Sequence, residues 1–161
     1  MVKLCSRIVM ALIAVLVVLT TSAGVARSEE ATPEEILKRY LTATQNQKFD
    51  DAYELVSKAM KTDRKSGQVK SKEVWSKESQ YIFSFSEAKI FDFKIGKGKI
   101  EANKAMVPNL LSSQDKFLNQ LGVEEYELYT LVKEDGGWKV DSQQEVIEPS
   151  EIAKWFPKKN K

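Results

Sequence analysis

The stretch "LYTLVKEDGGWKVD", residues 128–141, predicts a β-hairpin. Apolar residues lie on both sides of a short Asp-Gly-Gly segment, which is the pattern of two strands joined by a tight turn. A two-residue turn made of Asp135 and Gly136 suits type I′, because both of its central residues must tolerate positive φ. In that register Leu131 faces Val140.

A second register is also open. A turn of three residues that includes Gly137 would pair Val132 with Val140. The two-residue turn instead places Lys133 opposite Trp138, where the aliphatic stem of the lysine can lie along the indole ring. The sequence does not decide between the two registers.

The segment "FDFKIGKGKIE", residues 91–101, predicts a half-buried strand, because Phe91 and Phe93 alternate with polar residues. That alternation turns Asp92 toward solvent, so Asp92 is a poor candidate for a buried base. Gly96 and Gly98 interrupt the pattern two residues apart, and glycines inside a strand often mark a bulge or a bend. We therefore expect the sheet to curve strongly at these two glycines.

Three more strands complete a predicted antiparallel sheet of about four. The segment "KAMVPNLL", residues 104–111, follows a turn at Ala102-Asn103, and residues 126–133 and 138–147 form the hairpin. An amphipathic tail with Ile152, Trp155 and Phe156 ends the chain.

Three helices are predicted before the sheet. The first begins strongly, with Thr32 as N-cap, Pro33 at the first helical position and Glu35 completing a capping box. The second is expected over about residues 49–60. The third is capped by Ser71 and carries Trp75 on its apolar face, and the pattern changes to that of a strand around residue 83.

The N-terminus has the order of a secretory signal peptide. Lys3 and Arg7 precede an apolar run over residues 8–19, and small residues follow it. Gly24 and Ala26 suit the −3 and −1 positions of a cleavage site, so we expect residues 1–26 to be removed and residues 27–161 to form the domain with its short C-terminal tail. An uncleaved membrane anchor is the alternative. We therefore expect a periplasmic or secreted protein.

Cleavage would leave a neutral chain without cysteine. It removes two basic residues and no acidic one, so 25 basic side chains become 23 and equal the 23 acidic ones. A neutral balance argues against nucleic acid as a partner, because such binding needs a basic surface. The single cysteine, Cys5, precedes the apolar run, so it is not a lipid-bearing cysteine and no disulfide is expected.

The order of three helices and then curved antiparallel strands ending in "TLVKEDGGWKVD" resembles the nuclear transport factor 2-like superfamily, particularly its small exported bacterial members. The resemblance covers about residues 33–147. It implies an α+β cone, in which three N-terminal helices pack in a strongly curved antiparallel sheet. It also implies that Trp138 closes one edge of the apolar lining of the cone. The alternative is that Trp138 only covers the surface of the hairpin. Many members form dimers through the outer face of the sheet, which makes a homodimer an expectation here.

The residue types present exclude several kinds of catalytic site. The chain has no histidine, so Ser-His-Asp and Cys-His arrangements are absent, and without cysteine in the mature part thiolate sites are absent too. No cofactor or metal is expected. Enzymes with the resembling fold, such as ketosteroid isomerase and scytalone dehydratase, place carboxylates, tyrosines and sometimes histidine in the cone, and only the first two remain here.

Aromatic residues are the best candidates for a pocket lining, because small-ligand sites combine an apolar body with a few polar groups. Packing of these rings against each other in an ordinary core is the alternative. The candidate lining consists of Tyr40, Trp75, Tyr81, Phe91, Phe93 and Trp138.

The sequence therefore favours a non-catalytic, exported domain of the cell envelope that binds a small molecule or an envelope protein. One alternative is a small isomerase, lyase or hydrolase that uses a buried carboxylate, which would have a raised pKa. Another is an assembly component of an envelope complex. A basic run over residues 58–72 either contacts an anionic surface or is an ordinary solvated face.

Overall fold

Four helices precede a five-stranded sheet, and a fifth helix follows it, in the computed structural model, which describes residues 30–157. The predicted signal peptide lies outside the described residues. Within residues 30–157, no helix has the length and apolar character needed to cross a bilayer. The elements are α1 (Pro33–Gln45), α2 (Phe49–Leu55), α3 (Lys58–Lys61), α4 (Lys72–Phe85), β1 (Lys89–Ile95), β2 (Lys99–Glu101), β3 (Lys104–Gln114), β4 (Glu124–Glu134), β5 (Gly137–Glu145) and α5 (Pro149–Trp155).

Helix α1 begins at the capping box that the sequence predicts. The hydroxyl of Thr32 accepts a 3.2 Å hydrogen bond from the Glu35 amide, and the Glu35 carboxylate accepts a 2.9 Å bond from the Thr32 amide. Pro33 occupies the first turn, where no amide donor is needed. The face that carries Leu37 and Leu41 is buried against the sheet. A strong local start signal therefore fixes the helix that forms the main core.

The predicted second helix is in fact two, α2 and α3. Val56 has an extended backbone and forms a parallel bridge with Val140, and the Ser57 amide donates a 2.8 Å hydrogen bond to the Val140 carbonyl. Ser57 then caps α3. The helix breaks because residues 56–57 pair with the free edge of β5, a contact that local sequence does not reveal.

Helix α4 begins at its predicted cap, Ser71, but it extends to Phe85. The expected change to a strand at residue 83 is wrong. Glu87, with φ of 51°, ends the helical segment, and β1 begins at Lys89.

The sheet is antiparallel, in the order β1-β3-β4-β5, with β2 also paired to β3. Because β1 and β2 both pair with β3, the five strands occupy four positions in the sheet. The sequence predicted about four strands. Gly96 and Gly98 lie in the connection between β1 and β2, where a Cβ on Gly98 would come within 2.9 Å of Val107 and one on Gly96 within 2.9 Å of Pro108. The two glycines permit close approach to β3, and the irregularities of register lie elsewhere, at Phe91 and Asp141.

The hairpin of β4 and β5 has the two-residue turn. Leu131 pairs with Val140 and Lys133 with Trp138, and Asp135 and Gly136 have φ of 50° and 82°. The three-residue alternative is excluded. The Lys133 ammonium lies 5.2 Å from the centre of the Trp138 ring.

Two apolar clusters lie on opposite faces of the sheet. The main core joins α1, α2 and the inner face, and it includes Trp138, which is buried beside Leu131 and Val140. The second cluster joins α5 to the outer face through Leu128 and Trp155. The predicted tail is therefore a helix that covers part of the outer face.

Candidate functional site

The six aromatic residues predicted to line a pocket do not surround one cavity. Tyr40, Trp75 and Phe93 are partly buried and pack against the main core, where Trp138 is fully enclosed. The Trp75 indole donates a 3.3 Å hydrogen bond to the Met60 carbonyl, so it has a packing role.

Tyr81 and Phe91 do not pack in the main core with the other four residues, because both are exposed, by 66% and 55%. Tyr81 lines a groove of about 650 Å³ between α4 and the start of α2, which none of the other five predicted residues lines. Phe91 is the extra residue of a bulge in β1, where Ile90 pairs with Ser113 and Asp92 with Ser112. A bulge interrupts the two-residue alternation, so Phe91 no longer shares the inward face of Phe93. Asp92 is exposed, as predicted.

A cleft of about 570 Å³ opens between α1, α3 and the inner face of β4 and β5. Of the six predicted lining residues, it contains only Tyr40. Its other polar groups come from β4, β5 and the loop after α3. The lining consists of Tyr40, Ala59, Met60, Thr62, Arg64, Glu127, Tyr129, Asp141, Ser142 and Gln143.

Glu127 is the buried acid of this cleft, with 5% of its surface exposed. It faces Asn109 directly across the sheet, and the Asn109 amide donates a 2.7 Å hydrogen bond to Oε2 of Glu127. The Gln143 amide donates a 3.1 Å bond to Oε1. Both carboxyl oxygens are therefore held by neighbouring strands, which fixes the orientation of the group.

Burial raises the pKa of Glu127 from its ordinary 4.5 to about 7, because a carboxylate loses hydration when it is enclosed. Hydrogen bonds from Asn109, Tyr129 and Gln143 oppose that rise, and the nearby charge of Glu125 adds to it. Near neutral pH the group therefore exists in both protonation states. This is the property expected of a general acid or base.

Two tyrosines lie beside the acid. The rings of Tyr40 and Tyr129 meet edge to face with centres 6.4 Å apart. Burial raises the pKa of both phenols, and the Glu127 charge raises it further. Both hydroxyl groups therefore stay protonated at neutral pH and can donate hydrogen bonds.

Asp141 reaches the cleft because β5 contains a bulge. Thr130 pairs with Ser142 and Leu131 pairs with Val140, which leaves Asp141 without a cross-strand partner. Its carboxylate accepts a 2.7 Å hydrogen bond from the Ser57 hydroxyl. Strict alternation would place Val140 and Asp141 on opposite faces, but the bulge lets Asp141 reach the cleft while Val140 stays buried.

Three of the six basic residues in the run over residues 58–72 form ion pairs. Lys70 pairs with Asp63 and Glu78, Lys72 lies 2.5 Å from Glu54, and Lys58 is 3.9 Å from Asp135. The run therefore does not form a continuous basic surface.

Arg64 is the basic residue of the run that lies at the cleft. Like Lys61 and Lys65, it forms no ion pair among residues 30–157. It is carried on a small hairpin closed by the bridge between Thr62 and Val69. Arg64 can therefore offer a cation to an anionic group on a bound molecule.

Metal binding has no support in the described part of the chain. Within residues 30–157, no three or more His, Cys, Asp or Glu side chains are grouped to hold an ion. The chemistry of the cleft is that of carboxyl, phenol, amide and guanidinium groups.

Glu127, Asn109 and Gln143 are not among the residues that the sequence predicts for a site. A signal was nevertheless available, because side chains two residues apart in a strand share a face, which places Glu127 on the same face as Tyr129 and Leu131.

No protein-family model matches this sequence, and no curated protein sequence matches it. Among solved structures, the chain is similar to a candidate ketosteroid isomerase from Shewanella frigidimarina, with a TM-score of 0.50 and 14% identity over 71% of this chain and 95% of that one. It is also similar to a domain of unknown function with a cystatin-like fold from Nostoc punctiforme, with a TM-score of 0.50 and 10% identity over 72% of this chain and 76% of that one. A nuclear transport factor 2-like protein from Cytophaga hutchinsonii has a TM-score of 0.48 and 18% identity over 70% of this chain and 93% of that one.

The two likenesses with a TM-score of 0.50, together with N-terminal helices packed on an antiparallel sheet, define the fold class of the domain. The chain has the nuclear transport factor 2-like fold, as the resemblance predicted. Identities this low establish the fold alone, since one fold serves many functions. Function must therefore be argued from the cleft.

Proposed function

We propose that the cleft binds a small organic molecule and that Glu127 transfers a proton on it, which makes the protein a small isomerase or lyase. The sequence favoured a non-catalytic binding domain because of the export signal, the element order and the lack of common catalytic side chains such as histidine. Glu127 is the acid that the catalytic alternative required. Its burial in the cleft, with a pKa raised to about 7, is the observation that carries the proposal.

The chemistry follows from the groups present. Ionised Glu127 takes a proton from a carbon next to a carbonyl group, and the electron pair of the broken C–H bond moves toward the carbonyl oxygen. A phenol hydroxyl of Tyr40 or Tyr129 donates a hydrogen bond to the resulting enolate oxygen. In a β,γ-unsaturated ketone this enolate is conjugated with the C=C bond, so protonated Glu127 can give its proton to the γ carbon. The electron pair on oxygen then re-forms the carbonyl group, and the C=C bond moves into conjugation with it. Arg64 suits a molecule that also carries an anionic group.

The test uses cyclohex-3-enone and a panel of similar β,γ-unsaturated ketones, whose conversion to the conjugated isomer changes their ultraviolet absorbance. We expect turnover by the natural protein and a loss of at least about 100-fold in Glu127→Gln, the usual contribution of a general base. Asp92→Asn, which changes an exposed acid on β1, is the matched control and should keep full activity. Equal rates in Glu127→Gln and the natural protein would contradict the proposal.

Non-catalytic binding is the second candidate, and one observation favours it. Both Glu127 oxygens already accept hydrogen bonds from the chain's own amides, which is also how a purely structural buried acid is satisfied. No isomerisation of any ketone in the panel, and no uptake of deuterium into the ketones from D₂O, would favour this candidate over the enzyme.

We also propose that the protein acts outside the cytoplasm, in the periplasm or beyond it. The support is the order of Lys3 and Arg7, the apolar run and the small residues up to Ala26. N-terminal sequencing of the protein that accumulates in cells should begin at Arg27. A retained N-terminus would instead favour an anchored component of an envelope complex, with an envelope protein as partner.

The cone shape is a proposal too. Its support is the pair of bulges at Phe91 and Asp141, which increase local twist, and the close approach of Gly96 and Gly98 to β3. A crystal structure with flat strands would contradict it.

A further inference from the structure

The C-terminal half of α4 and the loop between β3 and β4, residues 115–123, expose an unusual amount of apolar surface. Leu118 and Leu121 are 93% and 90% exposed. Single exposed apolar residues need no explanation, but a group of large ones marks an interaction site. We call this group the apolar patch; it consists of Tyr81, Ile82, Phe85, Phe117, Leu118 and Leu121, each more than half exposed.

The loop is built to hold these side chains in solvent. The Asp115 carboxylate accepts hydrogen bonds of 2.6 and 2.8 Å from the amides of Phe117 and Leu118. Asn119 is buried, and its side chain donates to the carbonyls of Ser113 and Val123 and accepts from the Val123 amide. The exposure of Leu118 is therefore a fixed feature of an ordered loop.

Aromatic stacking joins the helix and the loop into one surface. The Tyr81 and Phe85 rings are stacked with centres 5.8 Å apart, and Phe117 lies 5.5 Å beyond Phe85. The Lys116 amide donates a 3.0 Å hydrogen bond to the Ser86 carbonyl. The three aromatic rings of the patch thus form one surface across two elements that are distant in sequence.

We propose that the apolar patch is the surface through which a second copy of this chain binds. Its six side chains expose roughly 800 Å², if each is taken as about 200 Å² when fully exposed. That is close to the area that each partner buries in a stable protein–protein interface. A single patch that binds its own copy forms a two-fold dimer that closes on itself.

Charge around the patch favours a protein surface over a lipid one. Lys116, the cation that lies on the Phe85 ring at 4.6 Å, is paired with Glu87 at 3.2 Å. Binding of a loop to anionic lipid gains from unpaired basic residues, and the cation that contacts the patch is held by an acid.

The outer face of the sheet offers less apolar surface for a dimer. Helix α5 packs there, and Trp155 and Val146 cover Leu128. The patch lies on the helical layer and the β3–β4 loop, so α5 leaves it open.

The test is sedimentation equilibrium of the protein recovered from cells that express the full chain. We expect a concentration-dependent dimer, and we expect the dissociation constant to rise by at least about 100-fold when Leu118→Glu and Leu121→Glu are combined, since each buries a charge in an apolar contact. Ile147→Glu, which changes an apolar residue 69% exposed outside the patch, should leave the dimer unchanged. Because both leucines are almost fully exposed, the variants should fold, which circular dichroism checks.

Three outcomes would overturn the proposal. One is a natural protein that stays monomeric at the highest soluble concentration. Another is a dimer that the double variant leaves intact. The third is a monomer that sediments with phosphatidylcholine or phosphatidylglycerol vesicles through Leu118 and Leu121, which would make the patch a membrane contact instead.

Discussion

The side-chain nitrogen Nδ2 of Asn109 lies 2.7 Å from Oε2 of Glu127, and the two residues pair directly across β3 and β4. Asn109 is completely buried, and its side-chain oxygen has no hydrogen-bond partner among residues 30–157. The Asn109 side chain holds the Glu127 carboxyl group from the neighbouring strand β3. Glu127 also lines the cleft. Asn109 is therefore a positioning residue for Glu127.

Replacing Asn109 with Leu should raise the pKa of Glu127 above about 7, because the ionised carboxylate loses its shortest hydrogen bond while burial is unchanged. The free energy of unfolding should fall by about 1–3 kcal/mol where Glu127 is ionised. Titration followed by carbon NMR of labelled glutamate measures the first effect and urea unfolding the second. Ser113→Ala, which removes a less buried bond to Glu125, is the control, and its cost should stay below about 1 kcal/mol. An unchanged Glu127 titration would contradict this role of Asn109.

Glu127 should make the folded state less stable as pH rises. Its pKa is higher in the folded state than in the unfolded one, so the folded state binds the proton more tightly. This contribution is fully present below 4.5, declines as pH rises to about 7, and is then lost. The decline should approach roughly 3 kcal/mol. Glu127→Gln removes this contribution. The difference in free energy of unfolding between the variant and the natural protein should therefore change between pH 4.5 and about pH 7. Parallel stability curves would show that the pKa of Glu127 is not raised.

Gly98→Ala should destabilise the fold by about 1–3 kcal/mol, the usual cost of overpacking. A Cβ at this position would meet a Val107 methyl group at 2.9 Å and the Met106 carbonyl at 3.2 Å. Gly137→Ala is the matched control, because nothing lies within 4 Å of its Cβ position, and it should change stability by less than about 0.5 kcal/mol. Thermal unfolding compares the two. Equal melting temperatures would mean that the contact with β3 relaxes without cost.

Ser57→Ala should cost about 1–3 kcal/mol, because it leaves two partners without a hydrogen bond. The Ser57 hydroxyl donates to Asp141 at 2.7 Å and accepts from the Met60 amide at 3.2 Å. Ser71→Ala removes only the exposed cap of α4 and should cost about 0.5–1 kcal/mol. Urea unfolding measures both. Equal costs would show that the bond to Asp141 adds nothing to the cap.

The sequence by itself determined the features that rest on local chemistry. The capping box at Thr32 fixed the start of α1, the Asp135-Gly136 pair admitted the turn with two positive φ angles, and the element order gave the fold class. Each of these depends on residues within a few positions of one another, so the sequence contains the information needed.

Tertiary structure decided the cleft. The bulges at Phe91 and Asp141 changed which side chains point inward, and both depend on the pairing partner across the sheet. Val56 left the helical conformation only because β5 offered a free edge. Glu127 acquired its raised pKa from enclosure by strands and helices distant in sequence. Register, edge pairing and desolvation are properties of contacts between segments, and a sequence read one segment at a time does not contain them.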